Sequence, residues 1–293
     1  MFDKILVAID FSEPSVEALD WTRDRYPDAE LTLFHALERT DPPSYVQRAL
    51  GDALDLWKEE ELDVRTNLEA LAEERGLEGG TLVREGWPPS VVNDAAAEVG
   101  ADLIVVAAHR RQVWPGDEPP GTTAEAIAER SRVPVLIWRD QVEPTTEHPT
   151  VVASLDLREG TEPVAEVAAA VARTFGARLV LLHVTSGTLH SYLRAVSSPV
   201  KVEEAERSIQ RSAREEAESR VPEELREGLE VQTFIQQGRP ITQILATAES
   251  EAADLIVMGK SHASRPEAGL LGSVTGKVVR GACCSVLMVP LSS

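Results

Sequence analysis

The chain contains one α/β sequence pattern twice, and this internal repeat constrains the fold more than any other feature. The repeat period is close to half of the 293 residues, which indicates two duplicated domains and excludes a solenoid of many short units. We predict one domain over residues 1–140, a second over 148–293, and a polar, proline-bearing linker over 140–149. The matched runs are Lys4–Asp10 with Thr150–Asp156, Gly86-Trp-Pro88 with Gly238-Arg-Pro240, and Ala101-Asp-Leu-Ile-Val105 with Ala253-Asp-Leu-Ile-Val257.

Each half alternates short apolar runs with segments of helical periodicity. Continuous apolar runs are typical of strands buried on both faces, so each half is predicted to be a doubly wound, five-stranded parallel sheet of Rossmann-like type. The predicted strands are Ile5–Ile9, Leu31–His35, Thr81–Arg84, Leu103–Ala107, Pro134–Trp138, Val151–Leu155, Leu179–Val184, Val231–Ile235, Leu255–Met258 and Val286–Val289. The predicted helices are Pro14–Tyr26, Ser44–Arg75, Ser90–Val99, Thr123–Ser131, Glu162–Phe175, Val200–Arg220, Ile241–Glu251 and Ser273–Arg280.

The chain is strongly acidic, and most of its acidic residues lie in the first half. Residues 1–147 hold 31 acids and 14 bases, a net −17, and residues 148–293 hold 18 and 15, a net −3, out of −20. This charge argues against a nucleic-acid or anionic-membrane surface and makes the first half a poor host for a polyphosphate. Only five of the 29 bases are lysines. Adaptation to a high-salt cytoplasm and a GC-rich genome would each explain this shortage of lysine, and the sequence does not decide between them.

Targeting and redox signals are few. No apolar stretch approaches the roughly 18–20 residues of a membrane span, and the N-terminus leads straight into a predicted strand, so we expect a cytoplasmic protein. The two cysteines, Cys283 and Cys284, are neighbours, which excludes a disulfide framework. Because strand residues alternate faces, one thiol is expected to be buried and the other to lie near the surface.

The second half carries the parts of a phosphate-binding site. Open parallel sheets bind ligands at the carboxyl ends of their strands, where the strand order reverses. Gly259 is predicted to turn the backbone tightly after the fourth strand, and Gly272-Ser273 to open the last helix, whose free N–H groups attract anions. Ser273 and Thr275 offer hydroxyl groups, and Lys260 offers positive charge. Asp156 follows the first strand and is placed to accept hydrogen bonds from a base or ribose.

These residues resemble the universal stress protein family, and the resemblance extends over both halves. Its ATP-binding members have a glycine, two residues, a glycine, nine residues and then glycine with serine or threonine. Here the spacing holds from Gly259 to Gly272-Ser273, but His262 stands at the second glycine. The resemblance implies an adenine nucleotide alpha hydrolase-like fold and an ATP-type site, with or without Mg. By match, its residues are Asp156, Val184, Gly259, Gly272, Ser273, Val274 and Thr275. Lys260 joins them through its charge, and His262 through an imidazole that could hydrogen-bond a phosphate.

The first half departs further from the family pattern. Ala107 and Arg110 replace the two glycines, the segment to Gly121 is one residue longer, and Asp117 and Glu118 would repel phosphate. His35 and His183 stand in apolar strands, where structural histidines are commoner than ligands. We therefore expect the first half to act as a structural or regulatory partner with a degenerate loop.

The leading hypothesis is a tandem universal stress protein, a stress-response sensor or regulator that binds ATP or a similar nucleotide in residues 148–293. The alternative is a protein-interaction module without nucleotide, built as an intramolecular pseudo-dimer. The third hypothesis is an enzyme that acts on adenylates. No catalytic or metal-binding motif is evident, so slow ATP hydrolysis is the most activity expected. Protein partners are unknown. The resemblance implies pairing of the halves through Pro134–Trp138 and Val286–Val289, or a homodimer.

Overall fold

The computed structural model describes residues 1–38, 53–108, 123–140, 149–185, 199–260 and 274–291. Within these residues the chain forms ten strands and nine helices. The strands are β1 (Lys4–Ala8), β2 (Glu30–Leu37), β3 (Thr81–Glu85), β4 (Leu103–Ala107), β5 (Val135–Trp138), β6 (Thr150–Leu155), β7 (Arg178–Thr185), β8 (Val231–Gln237), β9 (Leu255–Lys260) and β10 (Ser285–Pro290). The helices are α1 (Glu13–Arg25), α2 (Ala53–Glu74), α3 (Pro88–Val99), α4 (Thr123–Arg130), α5 (Glu162–Phe175), α6 (Pro199–Ser219), α7 (Glu223–Arg226), α8 (Pro240–Ser250) and α9 (Thr275–Gly281).

The first half has the strand order β3-β2-β1-β4-β5. β1 pairs in parallel with β2 on one side and with β4 on the other, and Ile5 is the partner of both Leu31 and Leu103. Helix α1 packs on β1 and β4, and α2 packs on β2 and β3. Helix α3 packs on β1, β2 and β3 and also contacts α4. This is the doubly wound arrangement predicted from the apolar runs.

The second half repeats the order as β10-β9-β6-β7-β8. Val151 of β6 is the partner of Leu179 and of Leu255, which reproduces the register around β1. Helix α5 contacts β6, β7, β9 and β10, whereas α8 contacts β6, β7 and α9. Both halves are therefore α/β units with parallel sheets, as the repeat predicted.

The described residues cluster into two compact units. One unit contains residues 2–108 and 123–136, and the other contains 137–140 and 149–291. In each unit the first strand lies deep in the core, with Leu6 and Val7 in one and Val151, Val152 and Ala153 in the other fully shielded from solvent. Strands buried on both faces need apolar side chains at every position, and this is why the strands read as unbroken apolar runs.

Helix ends follow local sequence chemistry. Helix α5 begins with Glu162-Pro163, where the fixed φ of proline suits the first turn. It ends at Gly176, whose φ of 60° is the left-handed conformation that glycine adopts without a steric penalty. Two features were not predicted: the short helix α7, which is only four residues long, and the extension of β9 through Lys260. The predicted linker and residues 44–52 of the second predicted helix fall largely or wholly outside the described residues.

Candidate functional site

The candidate residues of the second half lie where three adjacent strands end. β6 lies between β9 and β7; Asp156 follows β6, Val184 lies near the end of β7, and Lys260 ends β9. The chain continues from β6 to β7 on one side and places β9 on the other, so the strand order reverses between β6 and β9. Ligands of open α/β sheets bind at such a point. The structure brings Asp156, Val184, Gly259 and Lys260 to this edge of the sheet.

The remaining candidate residues surround the start of the last helix. Val274 is the N-cap of α9 and Thr275 is its first residue, and α9 packs on β9. Thr275 is buried. His262, Gly272 and Ser273 lie outside the described residues, as does the first-half loop with Arg110, Asp117 and Glu118. The described helix thus begins two residues after the predicted start at Ser273.

The aspartate after the first strand is held differently in the two halves. Asp10 Oδ1 accepts hydrogen bonds from the backbone N–H of Ser12 at 2.9 Å and from its hydroxyl at 2.5 Å. In the second half Arg158 stands at this position, and its Nε lies 3.3 Å from Oδ1 of Asp156, with side chains 81% and 56% exposed. Such exposed pairs contribute roughly 0–1 kcal/mol, so a ligand can displace Arg158 at little cost. Both aspartates are exposed, but the Asp10 carboxylate bonds within its own turn, whereas that of Asp156 pairs with an exposed arginine.

The residue after each of these aspartates has an unusual backbone. Phe11 has a φ of 61° and Leu157 a φ of 57°, both in the left-handed region. Bulky side chains adopt this region rarely, at a cost of about 1–3 kcal/mol, and such residues cluster at functional sites. Sequence reasoning missed both, because neither is the glycine or asparagine that signals a positive φ.

The strand-two histidines have a structural contact. Nδ1 of His35 lies 2.7 Å from the carbonyl oxygen of Ile9, and Nδ1 of His183 lies 2.8 Å from that of Leu155. A ring nitrogen facing a carbonyl must carry the proton and donate it. Each half-buried histidine therefore ties its strand to the residue before the site aspartate, in agreement with the structural role expected from the sequence.

The prediction that Gly259 turns the chain tightly is wrong. Gly259 lies inside β9 and pairs with Val289 of β10, and it is not among the residues of positive φ. A Cβ added there would lie 3.1 Å from Leu291 and 3.2 Å from Val164 of α5, so close packing favours glycine at this position. The spacing pattern identified the right position but could not show that a neighbouring helix fills the space of its side chain.

Lys260 is the one lysine of the described residues whose side chain is buried, with 7% exposed. Strand neighbours point to opposite faces, so Lys260 points away from α5, towards the face on which α9 packs. A buried ammonium group is costly unless anions or dipoles surround it. The structure therefore places a lysine side chain that is shielded from water at the carboxyl end of β9, the strand on which α9 packs.

The corresponding place in the first half lacks the lysine and has a buried acidic side chain instead. Ala107 ends β4 at the position of Gly259, and no lysine follows it. Glu125 lies in the first turn of α4 and is 95% buried, at the position that Gly276 occupies in α9. A carboxylate in the first turn already uses the favourable field that a phosphate would need. This half is poorly suited to an anionic ligand.

In the described part of the chain, no three side chains of histidine, cysteine, aspartate or glutamate come together as a metal site. Nor does any described helix have the length and apolar content needed to span a bilayer.

Comparisons with known proteins agree with this architecture. A sequence model described as the universal stress protein family matches residues 1–139 and again residues 148–290. A universal stress protein of Thermus aquaticus is 34% identical over 144 residues, which cover 48% of this chain and 97% of that protein. One of Bacillus subtilis is 32% identical over 149 residues, covering 47% of this chain and 100% of that protein. The crystal structure of a universal stress protein from Archaeoglobus fulgidus, 20% identical, covers 99% of this chain and 97% of that chain with a TM-score of 0.64.

The fold defines a class of protein in which two doubly wound α/β units stand in tandem. Within that class, the chain belongs to the universal stress protein family, with tandem domains of the family over both halves. The family assignment made from the glycine spacing and the repeat is confirmed.

Proposed function

We propose that the chain is a regulator that binds ATP or a similar nucleotide in a C-terminal domain, residues 148–293, through the nine residues named above. The N-terminal domain, residues 1–140, has no nucleotide in this proposal. The observation that supports it is a contrast between the two halves: the second has buried Lys260 at the end of β9, on which α9 packs, and the first has buried Glu125 in the first turn of α4.

In this proposal, different residues contact the adenosine and the phosphates of the ligand. Asp156 and Val184, at the ends of β6 and β7, flank the adenosine. Lys260 and the start of α9, with Ser273 and Thr275, hold the phosphates. A helix N-terminus alone gives an anion only about 0.3–2 kcal/mol, so the charge of Lys260 is needed beside it. The buried position of Lys260 supports this role, because reduced solvent screening strengthens its attraction for a phosphate.

The proposed output is regulation. In this proposal ATP acts as a ligand, with hydrolysis slow at most. Bound nucleotide shifts the population of states towards one that partner proteins recognise, to the extent that it binds that state more tightly.

Isothermal titration with Mg-ATP tests the proposal. The wild-type chain is expected to bind one nucleotide. Lys260→Met is expected to weaken binding by about tenfold, a loss of about 1.4 kcal/mol, since it removes the charge and keeps the length of the side chain. Gly272→Val is expected to abolish binding.

Asp156→Asn and Asp10→Asn form a matched pair across the repeat. The first is expected to weaken ATP binding, and the second to leave it unchanged, because Asp10 serves its own turn with Ser12. If wild-type protein gives no heat with Mg-ATP, the nucleotide proposal fails and the interaction-module hypothesis replaces it. Equal losses in the two aspartate variants would show that the site is not confined to the second half.

A further inference from the structure

Asp156 lies between two backbone carbonyls, each of which accepts a hydrogen bond from a distant side chain. His183 of β7 lies against the Leu155 carbonyl at 2.8 Å. Arg220, which follows α6, donates from Nη2 to the Leu157 carbonyl at 3.5 Å. The backbone on both sides of Asp156 is therefore held by side chains from other parts of the fold.

Arg220 is itself held in place. Its side chain is only 12% exposed and lies between the first residue of α5 and the last turn of α6. Nε donates to Oε1 of Glu216 at 2.9 Å, and Nη1 pairs with Glu162. A guanidinium held by two carboxylates has few rotamers left, so its remaining N–H groups have a defined direction. One of them faces the Leu157 carbonyl.

The first half lacks this connection. Arg75 follows α2 just as Arg220 follows α6, and its side chain is 16% exposed. Its Nε donates to Asp20 of α1 at 3.1 Å, and Nη1 lies 2.8 Å from Glu74. The described hydrogen bonds of Arg75 thus go to helices and to nothing in the turn of Phe11. The Phe11 ring instead lies 5.2 Å from the ring of His35.

We propose that Arg220 is a positioning residue of the candidate nucleotide site. It holds the Leu157 carbonyl, and with it the left-handed turn that directs the Asp156 carboxylate towards the adenosine end of the ligand. The inference rests on the proposed nucleotide site. It adds that the residue following the C-terminal end of α6 sets the position of the Asp156 carboxylate in that site. A left-handed backbone at leucine persists only where its surroundings hold it, and here the holding group is a side chain 63 residues away, just after the end of α6.

The first test compares two ligands, ATP and inorganic tripolyphosphate, on wild-type protein and Arg220→Met. The variant is expected to bind ATP about fivefold to tenfold more weakly. It is expected to bind tripolyphosphate as wild type does, because that ligand does not reach Asp156. Arg220→Lys, which keeps the charge but lacks the planar fork, is expected to recover only part of the loss. Equal weakening of both ligands would mean general damage and overturn the proposal.

A double-mutant cycle separates positioning from stability. In the Asp156→Asn background, Arg220→Met is expected to cause little further loss of ATP affinity, since the group that it positions is already gone. Arg75→Met is the matched control, expected to lower thermal stability while ATP affinity stays at the wild-type value. If the effects of Arg220→Met and Asp156→Asn multiply independently, Arg220 does not act through Asp156 and the inference is wrong.

A measurement without ligand keeps this inference separate from the proposed function. By hydrogen exchange, Arg220→Met is expected to speed exchange of the amides of residues 156–158 and to leave residues 10–12 unchanged. Unchanged exchange at 156–158 would refute the positioning role even if ATP binds. If exchange changes as expected but wild-type protein does not bind ATP, the nucleotide site is refuted, and with it the role of Arg220 in that site. The contact between Arg220 and the Leu157 turn would still stand.

Discussion

At the scale of single residues, the repeated motif that marks the duplication has a structural task. Asp102 accepts hydrogen bonds from the backbone N–H groups of Asp3 and Lys4, at 2.8 and 3.2 Å. Asp254 accepts one from Thr150 at 2.7 Å. In both halves, the aspartate before the fourth strand therefore fixes the start of the first strand. The repetition of Ala-Asp-Leu-Ile-Val reflects this shared need, not a shared ligand.

The two cysteines confirm the expectation that adjacent residues differ in burial. Cys283 is exposed and Cys284 is buried. A hydrogen bond from Cys284 lowers the pKa of Cys283 to about 6. That hydrogen bond and burial raise the pKa of Cys284. Above pH 6 the exposed thiol is therefore mostly thiolate, the form that reacts with electrophiles.

Pulse alkylation with iodoacetamide, read by peptide mass spectrometry, checks this difference. Labelling of Cys283 is expected to rise with pH and to reach its half-maximal rate near pH 6, while Cys284 stays unlabelled in the folded protein. Cys284→Ala removes the hydrogen bond and is expected to move the midpoint towards about 8.5, the usual value for a thiol. A midpoint that does not respond to Cys284→Ala would refute the assigned cause.

At the scale of elements, the repeated glycine-proline turn joins strand to helix in both halves. Gly86 donates to the Leu37 carbonyl at 3.0 Å and Gly238 to the Thr185 carbonyl at 3.2 Å, and both have a φ of 143°. A Cβ at Gly86 would lie 2.6 Å from Val91, and one at Gly238 would lie 2.9 Å from Gln243. These glycines allow the next helix to begin at once, against the end of the edge strand.

Gly238→Ala and Gly228→Ala form a test of this turn. Both glycines have positive φ, 143° and 74°, but a Cβ at Gly228 meets nothing within 4 Å. Gly228→Ala is expected to cost about 1 kcal/mol for the backbone conformation alone. Gly238→Ala is expected to cost more, about 2–3 kcal/mol, because side chains avoid a φ of 143° more strongly than one of 74°, while the end of the flexible Gln243 side chain can move aside. Urea unfolding of the two variants measures the difference, and equal losses would contradict the role assigned to this backbone conformation.

Element type was predictable from the sequence, whereas some element ends were not. The apolar runs gave all ten strands, because a strand buried on both faces must be apolar throughout. Helix α7 was missed since four residues carry no periodicity. The turn expected at Gly259 became part of β9 because Pro290 and Val289 of β10 continue the pairing, and the partner of a strand is not written in the strand itself.

At the scale of the whole molecule, charge differs between the halves. The first half carries −17 and the second −3 of the total of −20. Repulsion among like charges destabilises a compact state and is screened by salt, over a Debye length of about 10 Å at 0.1 M. The half with the candidate phosphate site is also the half with little net charge. The first half has a buried glutamate at the matching place.

Thermal unfolding between 0.1 and 1 M potassium chloride is expected to show a rising Tm. Each kcal/mol of repulsion relieved corresponds to about 2–4 °C for domains of this size. Neutralising two exposed acids of α2, Glu69→Gln with Glu73→Gln, is expected to raise Tm at low salt. The matched pair on α6, Glu204→Gln with Glu215→Gln, is expected to have a smaller effect because its surroundings are nearly neutral. A Tm independent of salt would show that the acidic surface does not destabilise the fold.

The sequence by itself determined the duplication, the two parallel α/β units, the family and the half that carries the candidate site. Each of these depends on local patterns: apolar runs, helical periodicity and the spacing of glycines. Only the tertiary structure decided which residues surround Asp156. His183 and Arg220 lie 27 and 64 positions away along the chain, and they bond the carbonyls of the residues on either side of Asp156. The pairing of β6 with β7 and the ion pair of Arg220 with Glu162 of α5 bring them there, and no local sequence pattern encodes such long-range contacts.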